Sequence, residues 1–197
     1  MSSNCQNMMH DGKLADSMCY LIGPIEGAKD KGISWRSDIV EQCHQNDLQI
    51  TFLDPTNKIT GLQKEIDTEN QRLKDLREEG RYDELSKEMK PIVREDHRSV
   101  DISDFLIVYI DPEVHTCGSY FELKDALDEK KPYFIIIKNG KKKTPLWLFG
   151  IVDHNSIFNN VDEVVKELQL LNSGDKEMSD RWVLMRRKIK QVQSGDA

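Results

Sequence analysis

Two apolar runs constrain the fold more than any other feature of the chain. Asp104–Ile110 (DFLIVYI) and Pro132–Ile137 (PYFIII) carry apolar side chains at nearly every position instead of every second one. A strand that is apolar on both faces must be covered on both faces, which is the habit of parallel sheets between helical layers. Met18–Gly23 (MCYLIG) and Gln49–Leu53 (QITFL) read as two further strands. The first is stopped by Gly23-Pro24, and the second leaves through Asp54-Pro55-Thr56-Asn57. A short edge strand is expected near Ile157. Helical segments alternate with these strands. One is capped by Ser34 and runs to about His44, with Trp35, Ile39 and Val40 on one face; the others are Gly118–Glu129, Val161–Leu171 and Glu177–Val192. Alternation of this kind predicts a three-layer α/β fold with a mostly parallel sheet and right-handed crossovers.

A length of 197 residues suits one domain. Residues 1–17 are polar and read as a flexible N-terminal segment, and residues 18–197 as a single domain. Within it, 62–90 is dense in Glu, Lys, Arg and Gln. It is expected to form a charged helix, a turn at Gly80 and a second helix ending near Pro91. Two readings of this insertion stand: a solvated hairpin, or a lid or oligomer arm. Residues 174–192 are expected to form a C-terminal helix, with 193–197 fraying.

Lys plus Arg number 28 and Asp plus Glu 35, a formal net charge of −7. Such a chain lacks the cationic surface that duplex nucleic acid demands, so no duplex partner is expected. No apolar run approaches the ~18–20 residues of a membrane span, and Met1–Ser17 holds no apolar signal core. Cys5, Cys19, Cys43 and Cys117 form no CxxC and have no His at zinc-site spacing. Reduced thiols in a cytoplasmic protein are the expectation.

In sheets of this kind ligands bind outside the carboxyl ends of the strands. The segment Gly23–Gly32 (GPIEGAKDKG) follows the first strand; its glycines permit close backbone approach to a ligand, or simply make a loop. Asp96 lies eight residues before Asp104. If 96–103 is a short helix feeding the strand, Asp96 sits on its first turn over the ligand edge, either as a catalytic acid or as a helix-terminal acid. Asp104 reads as a strand-start cap. After the third strand comes His115-Thr116-Cys117-Gly118-Ser119-Tyr120-Phe121-Glu122. Glu122 has two readings. It is a carboxylate nucleophile kept ionised by the helix dipole, or the fourth residue of a capping box begun by Ser119. His115 and Cys117 have no third group to orient them as a thiol and base. Two carboxylates flanking one pocket suit cleavage at an anomeric carbon, one attacking and the other protonating the leaving group.

These residues resemble the nucleoside 2-deoxyribosyltransferase superfamily, over roughly Met18 to Leu171. The resemblance rests on Tyr20-Leu21-Ile22-Gly23-Pro24-Ile25, Asp96 with Asp104, Gly118 with Glu122-Leu123, and Lys131-Pro132. It is strongest to a subgroup of phage and bacterial proteins of uncertain substrate. That subgroup's features are similar to Lys29-Asp30-x-Gly32 with Trp35-Arg36, Asp54-Pro55-Thr56-Asn57-Lys58, His115-Thr116-Cys117-Gly118 and Trp147-Leu148-Phe149-Gly150.

The resemblance implies a doubly wound, flavodoxin- or Rossmann-like sheet with helices on both faces, and a homo-oligomer whose subunits complete each other's sites. It implies N-glycosidic cleavage with Glu122 attacking C1′ and Asp96 protonating the departing base, with no metal or redox cofactor. The glycosyl group then passes to another base or to water. Tyr20, Gly23, Pro24, Ile25, Trp35, Asp54, Thr116, Gly118 and Ser119 are the implied substrate-binding positions. Two departures matter. The nucleoside transferases carry Asp where this chain has Thr116, and the related nucleotide N-glycosidases carry a Ser that binds the 5′-phosphate. A threonine hydroxyl serves a phosphate without repelling it. No Asn is in register with the position near Pro145 where the transferases use one from a neighbouring subunit. The expected ligand is therefore a nucleoside or its 5′-monophosphate. The competing reading is a nucleotide-sensing module that turns nothing over and uses the 62–90 hairpin to contact a partner protein.

Overall fold

A computed structural model describes residues 12–56, 63–183 and 185. Expectations for residues 1–11, for Asn57, Lys58 and Leu62, and for the chain from Arg186 onward lie outside the described residues. Among the described residues five strands and five α-helices follow in the order β1 (Ser17–Ile22), α1 (Ile33–Gln45), β2 (Ile50–Leu53), α2 (Gln63–Glu78), α3 (Tyr82–Ile102), β3 (Phe105–Ile110), α4 (Cys117–Asp128), β4 (Tyr133–Ile137), β5 (Ile157–Phe158) and α5 (Val161–Ser173). Three short 3₁₀ turns lie between β4 and β5.

The strands form one all-parallel sheet in the order β2-β1-β3-β4-β5. This is a doubly wound α/β fold. The chain moves outward from β1 to β2, then crosses back to place β3 on the other side of β1. The cleft outside the carboxyl ends of β1 and β3 is the topological switch point, where such folds take ligands.

Strand alternation divides the core in two. Cys19, Leu21, Phe105, Ile107, Phe134 and Ile136 face α1 and α5, where Ile39, Cys43, Val164 and Leu168 are buried. Tyr20, Ile22, Leu106, Val108, Ile110 and Ile135 face α3 and α4, through Val100, Leu123 and Ala126. The two apolar runs are therefore central strands covered on both faces.

Four local expectations are corrected. Helix α1 is capped at Gly32, not Ser34. The Asp30 carboxylate accepts the amide hydrogens of Gly32 and Ser34, each at 3.0 Å, so the capping group comes from outside the helix. Gly32 has φ +71°, and a Cβ there would stand 2.3 Å from the Pro24 carbonyl oxygen. Helix α3 does not end near Pro91 but runs through it for 21 residues. Pro91 and Lys87 are exposed, so water can satisfy the carbonyl that the proline leaves without its donor. Asp96 consequently rides on the last third of a long helix, not on the first turn of a short one.

Residues 12–17 are not a loose segment. Lys13 and Leu14 donate their amides to Asn172, Leu14 is fully buried, and Ser17 opens β1. Finally, Gly174 ends α5 with φ +86°, and 174–182 is irregular, not helical. It folds back so that Trp182 packs 5.3 Å from Phe105. Its apolar residues serve a return to the core, which a periodicity count mistakes for a helix face.

Two polar residues fix the end of α3. Asp104 accepts the Met18 amide at 2.9 Å and donates its own amide to the Met18 carbonyl at 2.7 Å, joining the start of β3 to β1. Lys131 is buried, and its ammonium donates to the carbonyls of Val100 (2.6 Å), Ser103 (2.9 Å) and Asp101. A cation satisfying the last carbonyls of a helix complements its dipole.

Candidate active site

Three elements converge at the switch point. Tyr20 on β1 points into the layer beneath α3 and α4 because it alternates with Cys19 and Leu21, which face α1. Asp96 comes from α3 and Glu122 from α4. The Tyr20 hydroxyl donates to Glu122 Oε1 at 2.9 Å and lies 3.5 Å from Asp96 Oδ1. Those two carboxylate oxygens therefore lie less than about 6.5 Å apart, close enough for both carboxylates to flank one reacting carbon.

Glu122 is the sixth residue of α4, one turn in from its N-terminus. Thr116 stands at the N-cap, its hydroxyl donating to Ser119 Oγ at 2.7 Å instead of capping the helix. The Ser119–Glu122 capping box does not form, because α4 starts two residues before Ser119. Burial, followed by the neighbouring Asp96 charge, pushes the Glu122 carboxyl up to about 7. The Tyr20 hydrogen bond and the charges of Arg36 and His97 oppose that rise. The expectation of a carboxylate held ionised by the helix dipole is thus corrected: too deep in the helix to feel its end fully, Glu122 is governed by desolvation. Burial and both carboxylates also push the Tyr20 phenol upward, so it stays a donor.

A cavity of about 460 Å³ opens over this trio. Of the expected residues, Tyr20, Gly23, Ile25, Asp96, Thr116, Gly118, Ser119 and Glu122 line it. Pro24, Trp35 and Asp54 are not among its lining residues. Pro24 is buried with its carbonyl turned toward Gly32. Trp35 is buried and stacks on Tyr109, ring centroids 5.1 Å apart. A Cβ on Gly23 would fall 2.8 Å from the Trp35 ring, so that glycine lets the strand end lie on the indole. Asp54 accepts the Thr56 amide (2.8 Å) and hydroxyl (2.7 Å) and stands 3.5 Å from Arg36 Nε. These three shape the floor beneath the cavity.

The residues that sequence reasoning missed are Arg36 and His97. Arg36 is fully buried below the cavity and donates to the carbonyls of Leu21 (3.3 Å), Gly23 (3.0 Å) and Gly32 (2.8 Å). It clamps the end of β1 to the loop and places a cation under the carboxylates. The signal was present: Arg36 shares the buried stripe of α1 with Ile39 and Cys43, at i+3 and i+7. His97 lines the cavity beside Asp96, and its Nδ1 is bonded to Asp125 Oδ2, three residues beyond Glu122 on α4. Met89, Val93 and Phe121 complete an apolar rim, with His115 and the exposed Cys117 on the lip.

Cys19, Cys43 and Cys117 are free thiols. Among the described residues, no cluster of three His, Cys, Asp or Glu is placed to hold a metal ion, and no helix is long and apolar enough to cross a membrane.

No protein-family model and no curated protein matches the chain. Among solved structures, a conserved protein from Enterococcus faecalis V583 is similar, with 19% identity over 89% of this chain and 98% of that one, and a TM-score of 0.42.

Proposed function

We propose that this protein cleaves the N-glycosidic bond of a (deoxy)nucleoside or nucleoside 5′-monophosphate and passes the (deoxy)ribosyl group to another base or to water. The observation that carries the reading is the Tyr20 hydroxyl set between two carboxylates at the switch point of a doubly wound sheet. Glu122 Oε attacks C1′, the C1′–N bond breaks, and its electron pair stays on the base nitrogen. Asp96 supplies the proton that nitrogen takes up. In the second half the Asp96 carboxylate accepts a proton from water or an acceptor base, which displaces Glu122 from C1′. Turnover needs a proton on Asp96 and an ionised Glu122. Tyr20 steadies that state, because a hydrogen bond donated to a carboxylate favours its charged form.

Thr116, Gly118 and Ser119, at the N-terminus of α4, line the cavity, and a 5′-phosphate suits such an end. Thr116 Oγ1 already donates to Ser119, so a phosphate would be met by amides and by a rearranged hydroxyl pair. We also read the chain as a homo-oligomer. Leu146 and Trp147 are 89% and 78% exposed beside Phe149, an apolar surface of the kind that subunit contacts cover.

The test is release of free base from a panel of nucleosides and 5′-monophosphates, with and without an acceptor base, by wild type and Glu122→Ala. Base release lost in the variant supports the reading, and dependence on acceptor separates transfer from hydrolysis. Saturable nucleotide binding by both proteins without base release overturns it in favour of a sensor.

A further inference from the structure

A second cavity, of about 430 Å³, lies between the loop after β1 and the α2–α3 hairpin. It meets the catalytic cavity at Ile25, Glu26 and Met89, which line both. Its walls are aliphatic. Leu73 comes from α2, Leu85, Met89 and Ile92 from α3, and Ala28 from the loop; among the described residues no aromatic ring lines it. Its rim carries Lys31, Lys74 and Arg77, the last paired with Glu26 at 3.0 Å, which ties the hairpin to the loop.

The contact of this groove with the cavity that holds the two carboxylates narrows its occupant. Thr116, Gly118 and Ser119, at the start of α4, line that cavity and suit the phosphate side of a nucleotide. Asp96 and Glu122 act at C1′. The base is the part of the nucleotide left to meet the shared lining at Ile25, Glu26 and Met89, where the groove opens. A groove without aromatic walls offers no stacking platform for a second base. It offers aliphatic contact, with cations at its outer edge.

We propose that the substrate is a nucleotide whose base carries an aliphatic substituent, and that this substituent lies in the groove between the hairpin and the loop after β1. This rests on the glycosidic reading of the site above. The hairpin then acts as the specificity wall of the site. The Arg77–Glu26 pair holds that wall closed over the substituent, and the rim lysines favour a substituent ending in an anion. Burying apolar surface strengthens binding about fourfold per methylene, so a butyl group seated in the groove should improve kcat/KM at least tenfold.

The test compares 5′-monophosphates of adenosine and cytidine, in ribo and deoxy forms, each plain, N-butylated and N-(carboxybutyl)ated on the exocyclic amine. Base release is followed chromatographically. Binding to Glu122→Ala, which lacks the nucleophile, is measured by calorimetry on the same compounds. The expected result is a preference of at least tenfold for an alkylated compound over its plain parent, in turnover and in affinity. Ala28→Trp, which fills the groove from the loop side, should abolish the preference while leaving the plain parent unchanged; Ala28→Leu repeats the test if the larger residue prevents folding. Plain and alkylated compounds turned over equally well would overturn the inference and leave the glycosidic reading intact. An affinity preference cancelled by Ala28→Trp, with no base released by wild type, would support the groove and overturn the glycosidic reading alone. No preference in either measurement overturns the inference.

Discussion

The hydroxyl of Tyr20 donates to Glu122 Oε1 across 2.9 Å while lying 3.5 Å from Asp96 Oδ1. A phenol has one proton, and the short contact takes it. Asp96 and Glu122 therefore face each other across the phenol oxygen as like charges in a mostly desolvated place. The Asp96 charge adds to burial in pushing the Glu122 carboxyl upward. The geometry makes the charge state of this cluster the property on which both stability and turnover depend.

The first consequence concerns stability. The folded carboxyl of Glu122 is pushed up to about 7, against an unfolded value near ~4.3. Between these values the folded chain binds more protons than the unfolded one, so stability falls as pH rises and the full cost is present above 7. That cost has a ceiling of about 4 kcal/mol. Glu122→Gln cannot ionise and escapes it. In urea denaturation, the variant should gain on wild type between pH 5 and pH 8 by up to that amount. Equal differences at the two pH values would contradict a raised carboxyl.

Turnover has the opposite sign. Glu122 attacks only when ionised, so kcat/KM should fall on the acid side of about 7. Tyr20→Phe removes the hydrogen bond that favours the ionised form. Its acid limb should move to higher pH, and kcat/KM at neutral pH should drop about 10–100-fold, the worth of one hydrogen bond to a charged group. The fold should survive, because the ring of Tyr20 stays packed in its layer of the core. An unmoved acid limb would show that the phenol does not act through Glu122.

How much of this was legible in the sequence follows from local physics. Strands β3 and β4 were plain because a run apolar on both faces has few other uses. The placement of Glu122 and Asp96 at one cavity followed from strand order and from the resemblance, since both follow or precede the third strand closely. The ionisation of Glu122 was not legible. It depends on burial by α3 and on the charge of Asp96, 26 positions away in the chain, and helix-end logic pointed the other way. Gly32 was missed as the α1 cap because the capping carboxylate, Asp30, lies outside the helix. Helix α3 was cut at Pro91 because a proline rule ignores exposure. Trp35 stacks on Tyr109 and Asp54 bonds Thr56, and neither is among the residues that line the cavity.

Arg36 should be the most costly single residue to remove near the site. Its guanidinium is fully buried, serves three main-chain carbonyls and stands 3.5 Å from Asp54. Arg36→Met would leave those acceptors and the Asp54 carboxylate without their partner, at about 3–5 kcal/mol of stability. Arg36→Lys should recover only part of this, because one ammonium cannot reproduce the planar fork. Urea denaturation of both variants checks the order wild type, Lys, Met. A Met variant as stable as wild type would show that the clamp is dispensable.

His97 provides the last prediction. It lines the cavity next to Asp96, bonds Asp125 through Nδ1, and its charge helps hold Glu122 ionised. Asp125 and Glu122 face it from α4, Asp96 adjoins it on α3, Tyr20 and Arg36 approach from the sheet side, and His115 shares the cavity lip. A merely structural link between α3 and α4 would lower stability and leave the pH profile in place. A charge acting on Glu122 predicts something different. Removing the cation lets the Glu122 carboxyl rise further, so the acid limb of kcat/KM should shift upward in His97→Gln. The activity lost should be larger at pH 6 than at pH 8. His97→Lys, which restores a positive charge without the ring, should return the limb toward wild type. Limbs that coincide in all three proteins would leave His97 with the helix-linking role alone.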